Sequence, residues 1–188
     1  MMRPPNRCWR TLRALVVSGA LVVPTLELVA ATAADAATYP DVAAEPVAFG
    51  TAGSFGSLAG EQLNAPVKAM TATPDGGGYW LVASDGGVFA FGDAGSYGSM
   101  GGHPLAQPVV GMAATPDGKG YWLVASDGGV FAFGDAAYAG SMGGGHLGAP
   151  VAGMAADPKG PGYWLVGSDG GVFAFGGAPY LGSMGAQP

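Results

Sequence analysis

Three serine–aspartate pairs stand at a fixed interval: Ser84-Asp85, Ser126-Asp127 and Ser168-Asp169. Two histidines, His103 and His146, follow the first two pairs. Serine, histidine and aspartate together can make an acyl-transfer site. Such a site needs one nucleophile, one base and one orienter in unequal roles. Here the same residues recur in equal copies. No Gly-x-Ser-x-Gly elbow surrounds any of the serines. The histidines lie one residue out of register with each other, and Glu61-Gln62 takes their place in the first copy. Variable loop residues are the plainer account of both.

Other chemistries fare similarly. The aspartates recur as Asp85, Asp127 and Asp169, as Asp75 and Asp117, and as Asp93 and Asp135. Calcium is held by clustered oxygen ligands, but none of these forms a D-x-D-x-D-G loop, and Asp before Gly is ordinary turn chemistry. Two histidines and the lone Cys8 make a poor zinc set. The stretch GMAATPDGKG (111–120) holds a Gly-Lys with the wrong spacing for a phosphate loop and no Ser or Thr after the lysine. Neither a catalytic set, a metal site nor a cofactor is expected.

The aromatic pairs are the best ligand-binding candidates: Tyr79-Trp80, Tyr121-Trp122 and Tyr163-Trp164. Neighbours on a strand point to opposite faces. One member of each pair is therefore expected to pack, and an exposed partner beside Asp would suit stacking on a sugar ring. Burial of both is the competing expectation.

These residues sit in a phrase written three times. GYWLVASDGGVFAFGDA spans 78–94 and 120–136, and 162–178 repeats it with Gly167 and Gly177 as the only changes. The period is 42 residues. Pro66, Pro108 and Pro150 obey it, as do Met70, Met112 and Met154, and Phe49, Phe91, Phe133 and Phe175. Such a period marks a repeat architecture. In the second copy, PVVGMAATP (108–116), YWLVAS (121–126) and VFAFG (130–134) are expected strands, and Gly-rich AAYAGSMG (136–143) is a weaker fourth. Asp-Gly between apolar runs predicts tight hairpin turns of type I′. YWLVAS and VFAFG are apolar on both faces, which predicts sheets covered on both sides.

Four short antiparallel strands in about 40–45 residues are the arithmetic of a propeller blade. The fold class expected is all-β, a repeat protein of β-propeller-like four-stranded blades, with an open β-solenoid or stacked hairpins as the alternative. PDGKGYWLVASDGGVFAFGDA resembles blades of the NHL and YVTN type. It also looks like the GYWLVASDGGVFAFGDA arrays of secreted actinobacterial repeat proteins. SDGGVFAFG loosely resembles the Asp box of sialidase-type blades, S-x-D-x-G-x-x-W, but lacks its spacing and its tryptophan. Three full repeats (66–107, 108–149 and 150–188) follow a half-repeat (45–65) matching third and fourth strands. Propellers close with about four to eight blades. A larger gene product, or self-association of two chains into a six-bladed ring, would supply the rest.

The N-terminus reads as an export signal (1–36). Arg3, Arg7, Arg10 and Arg13 precede apolar 14–30, and the small-residue sites Ala31-Thr32-Ala33 and Ala34-Asp35-Ala36 follow. A retained membrane anchor is the alternative. A linker (37–44) leads to the repeats. Past residue 36, three lysines meet eleven acidic residues, a net charge of −8 that repels nucleic-acid phosphates. No cysteine remains there, so no disulfide braces the repeats. The function expected is a secreted, non-enzymatic repeat module for binding or interaction at the cell surface, with cell-wall polysaccharide as candidate partner. Alternatives are a purely structural spacer, a fragment of a larger propeller, and a hydrolase with its site in a propeller channel.

Overall fold

The computed structural model describes residues 50–185. The signal, the linker and the first residues of the half-repeat lie outside that range. The chain divides into two units, Met1–Tyr39 and Pro40–Pro188, and the description concerns the second.

Nine strands form, and no helix appears among the described residues. The first sheet holds β1 (Val67–Ala72), β2 (Gly78–Ala83) and β3 (Val88–Gly92). The second holds β4 (Val109–Ala114), β5 (Gly120–Ala125) and β6 (Val130–Gly134). The third holds β7 (Val151–Ala156), β8 (Tyr163–Gly167) and β9 (Val172–Phe175). Each sheet is an antiparallel meander in chain order. The registers repeat: Met70 faces Leu81, Met112 faces Leu123 and Met154 faces Leu165. Each first strand carries a bulge after its opening valine.

The middle strands β2 and β5 are buried along their whole length. Their two apolar faces are thus used as the sequence predicts. One cluster joins Trp80 and Val82 of the first sheet to Met112, Tyr121 and Leu123 of the second. A second joins Trp122, Val124 and Val130 to Tyr163 and Leu165 of the third. A third covers the outer side of the first sheet, where Leu58 and Leu63 of the half-repeat meet Tyr79 and Leu81. The first strands stand side by side, β4 packing on both β1 and β7.

Two expectations need correction. The sheets have three strands, not four. Residues 136–143 run as irregular chain: Met142 N–H donates to Gly128 O in the hairpin turn, and two carbonyls are taken by side chains of the middle strands rather than by a ladder. Ala137 O accepts from the Trp122 indole, and Gly140 O accepts from the Tyr163 hydroxyl. The Asp-Gly turns are also longer than the two-residue kind. Gly86 N–H donates to Ala83 O, and Ala83 N–H donates to Gly87 O. Ser84 and Asp85 therefore fill the turn and Gly86 follows it at φ +78°. This is a three-residue loop closed by a glycine in the left-handed region.

Candidate functional site

Each Tyr–Trp pair is placed by a middle strand, and alternation sends its two rings to opposite faces. The face bearing the tyrosine looks back to the preceding repeat; we term it leading. The face bearing the tryptophan looks on to the next repeat and is the trailing face.

On the leading face, each hydroxyl reaches into the loop of the repeat before. Tyr121 donates to Gly98 O at 2.5 Å and accepts from Tyr97 N–H at 3.3 Å. Tyr163 donates to Gly140 O at 2.5 Å and accepts from Ala139 N–H at 3.2 Å. Tyr79 donates to Gly56 O of the half-repeat. On the trailing face, each indole ties down its own repeat's outgoing loop. Trp80 Nε1 donates to Gly95 O at 2.7 Å, Trp122 Nε1 to Ala137 O at 2.8 Å and Trp164 Nε1 to Pro179 O at 2.8 Å. The rings then meet across the seams. Trp80 and Tyr121 centroids are 5.6 Å apart, and Trp122 and Tyr163 are 5.3 Å apart, both tilted. Such pairs add about 0.5–1.5 kcal/mol beyond area burial. The loop carbonyls are the partners that sequence reasoning missed. The signal was the glycine recurring at 56, 98 and 140.

Five of the six candidate ligand-binding residues are thereby sealed. Tyr79, Trp80, Tyr121, Trp122 and Tyr163 are buried, none more than 6% exposed. Packing accounts for them, and they have no free face for a sugar. Trp164 is only partly buried, because no sheet lies on its side among the described residues.

Burial also raises the pKa of the Tyr121 and Tyr163 phenols above the ordinary value. A raised folded-state pKa favours the fold below the unfolded value of about 10. That contribution is lost as pH rises through the folded value. In an alkaline titration, a late step of phenolate absorbance is expected to coincide with loss of the β-sheet circular dichroism. Complete phenol ionisation with the sheets intact would contradict the sealed geometry.

The serines and histidines are brought near each other without being joined. Ser84, Asp85 and His103 line one shallow groove, and Ser126, Asp127 and His146 another. Both histidines are exposed. The aspartates turn to the backbone: Asp85, Asp127 and Asp169 each accept the N–H of the glycine two residues on, at 2.9–3.0 Å. Among the described residues no group of three or more His, Cys, Asp or Glu gathers for a metal.

The other aspartates belong to the turn before the middle strand. Thr73 accepts Gly78 N–H at 2.9 Å and donates to Asp93 at 3.1 Å. Thr115 accepts Gly120 N–H at 3.0 Å and donates to Asp117 at 3.0 Å. The N–H of Gly77 holds Asp75, and the N–H of Lys119 followed by the Thr115 hydroxyl holds Asp117, below the usual carboxylate value. The third repeat changes all three positions, with Lys159 where Asp75 and Asp117 stand. Asp157 stands in the threonine position, and Gly177 replaces Asp93 and Asp135. The paired change avoids setting a second carboxylate beside a buried aspartate, and Asp157 accepts Lys159 N–H instead, at 3.0 Å.

No helix of the described residues is long and apolar enough to cross a membrane. No family model matches the chain, and no curated protein matches it. Among solved structures it is similar to one described as "Structure of U3-55K", at 14% identity and a TM-score of 0.47. The match covers 67% of this chain and spans only 41% of that one. A likeness that slight supports no statement about fold or function.

Proposed function

We propose that the chain is a secreted, non-enzymatic repeat module whose sheets are propeller blades and whose work is packing between protein surfaces at or outside the cell surface. The observation that carries this reading is the use made of the Tyr–Trp pairs. The residues best suited to a ligand bind the preceding loop, the following loop and the next sheet instead. The order of the strands supports blades. First strands stand side by side along a groove of about 590 Å³ lined by Met70, Met112 and Met154. β3, β6 and β9 lie at the far edges of their sheets. Export rests on the N-terminal pattern, as in the secreted repeat proteins the chain resembles.

Polysaccharide binding is the second reading, and the partly open ring of Trp164 is its one support. Co-sedimentation with insoluble cell-wall polysaccharide separates the two. The packing reading expects the chain to stay in solution, with no change in the Trp164→Ala variant. Retention of the wild type that Trp164→Ala abolishes would replace it with the carbohydrate reading.

A further inference from the structure

Among the described residues the first and third sheets each have one face with no other sheet on it, and these are the two halves of a seam made twice between the sheets. Each internal seam sets a trailing face on a leading face. Trp80 and Val82 meet Met112, Tyr121 and Leu123 in the first seam. Trp122 and Val124 meet Tyr163 and Leu165 in the second. A backbone bond crosses each seam at 2.9 Å, from Val109 N–H to Ser84 O and from Val151 N–H to Ser126 O.

The matching positions at the ends lack a second sheet, and on the first sheet Leu58 and Leu63 of the half-repeat already cover Tyr79 and Leu81. On the trailing face of the third sheet Val166 is 39% exposed, whereas Val82 and Val124 are 0% exposed. On the leading face of the first sheet Met70 is 53% exposed, against 6% for Met112. Ser168 O and Val67 N–H stand where the seams place their acceptor and donor. Each face is near-identical in sequence to one that already has this partner within the same chain.

We propose that these two faces dock on each other between two copies of the chain, head to tail, so that two seams close a ring of six sheets. The inference rests on the packing reading above. Trp164 of one copy takes toward Tyr79 of the other the place that Trp122 takes toward Tyr163. One adjustment follows. Leu181, 86% exposed, holds the repeat position of Tyr97, whose ring packs 5.7 Å from Tyr121. Phe55 already fills that place against Tyr79, at 5.9 Å. Docking therefore displaces the half-repeat segment that carries Leu58 and Leu63 from Tyr79 and Leu81, so that the 177–185 loop takes its place in the seam.

The test is light-scattering mass of the purified chain over a concentration series. Val166→Asp blocks the trailing face and Met70→Asp the leading face. Both positions are exposed, so circular dichroism of the variants is expected to match the wild type. The wild type is expected at twice the chain mass and each variant alone at the chain mass. An equal mixture of the two variants keeps one intact seam and is expected to form a one-to-one pair with weaker affinity. A monomeric wild type overturns the proposal. So do variants that associate as the wild type does, or a mixture that stays monomeric. None of these outcomes bears on polysaccharide retention, so the seam can fail while the packing reading stands.

Discussion

Trp122→Ala is expected to lower stability by about 3–5 kcal/mol, the range for large-to-small changes at sealed aromatic sites. The ring is 1% exposed, lies against Tyr163 and donates to Ala137 O. Its removal opens a cavity in the seam between the second and third sheets, and it releases the loop that presents Gly140 O and Ala139 N–H to Tyr163. A domain is commonly stable by only about 5–15 kcal/mol. The loss is therefore large enough to separate the third sheet from the array or to unfold the whole. Chemical denaturation followed by circular dichroism checks it. A midpoint unchanged from the wild type would show that the ring does not hold the seam.

Gly98→Ala is the second large effect, for a reason on the other side of the same contact. Gly98 sits at φ +127°, where L side chains rarely go. A Cβ there would come within 2.7 Å of the Phe133 ring. Backbone strain of this kind costs about 1–3 kcal/mol, and forcing apart a packed ring costs about as much again. The same backbone position presents the carbonyl that Tyr121 uses. The variant is expected to lose several kcal/mol in the same denaturation experiment. Gly102→Ala is its control, because Gly102 also has a positive φ but nothing within 4 Å. Equal losses for the two would mean that only backbone strain matters, and not the approach to Phe133.

Most of the sheet was legible from the repeat itself. Val130–Gly134 matches the expected third strand to the residue, and the middle strand differs by one residue at each end. Apolar residues on both faces of GYWLVA correctly implied a sheet covered twice. The missing fourth strand was not legible. Its composition says only that it is Gly-rich. That its carbonyls would be taken by an indole and a phenol is a tertiary fact, since Tyr163 reaches back 23 residues to Gly140. The turn type was missed for a related reason. Asp-Gly fits both a two-residue and a three-residue loop, and the register of the flanking strands decides between them.

The aromatic pairs show the same limit from the side of function. Sequence marks Tyr-Trp as repeated and strand-borne, which fits a ligand platform and a packing joint equally well. Only neighbours decide, and the chain supplies its own comparison. Trp122 and Trp164 share the motif Gly-Tyr-Trp-Leu-Val, yet one has a sheet on its trailing side and the other has none among the described residues.

The measurement that tests this account most directly is therefore the stability cost of Trp122→Ala set against that of Trp164→Ala, at protein concentrations too low for copies to associate. If the tryptophan works as a joint between repeats, the first costs about 3–5 kcal/mol. The second costs clearly less, because the Trp164 ring is only partly buried and has no sheet on its trailing side among the described residues. Equal costs at the two positions would contradict the account, because the ring would then be stabilising its own repeat rather than the seam to the next.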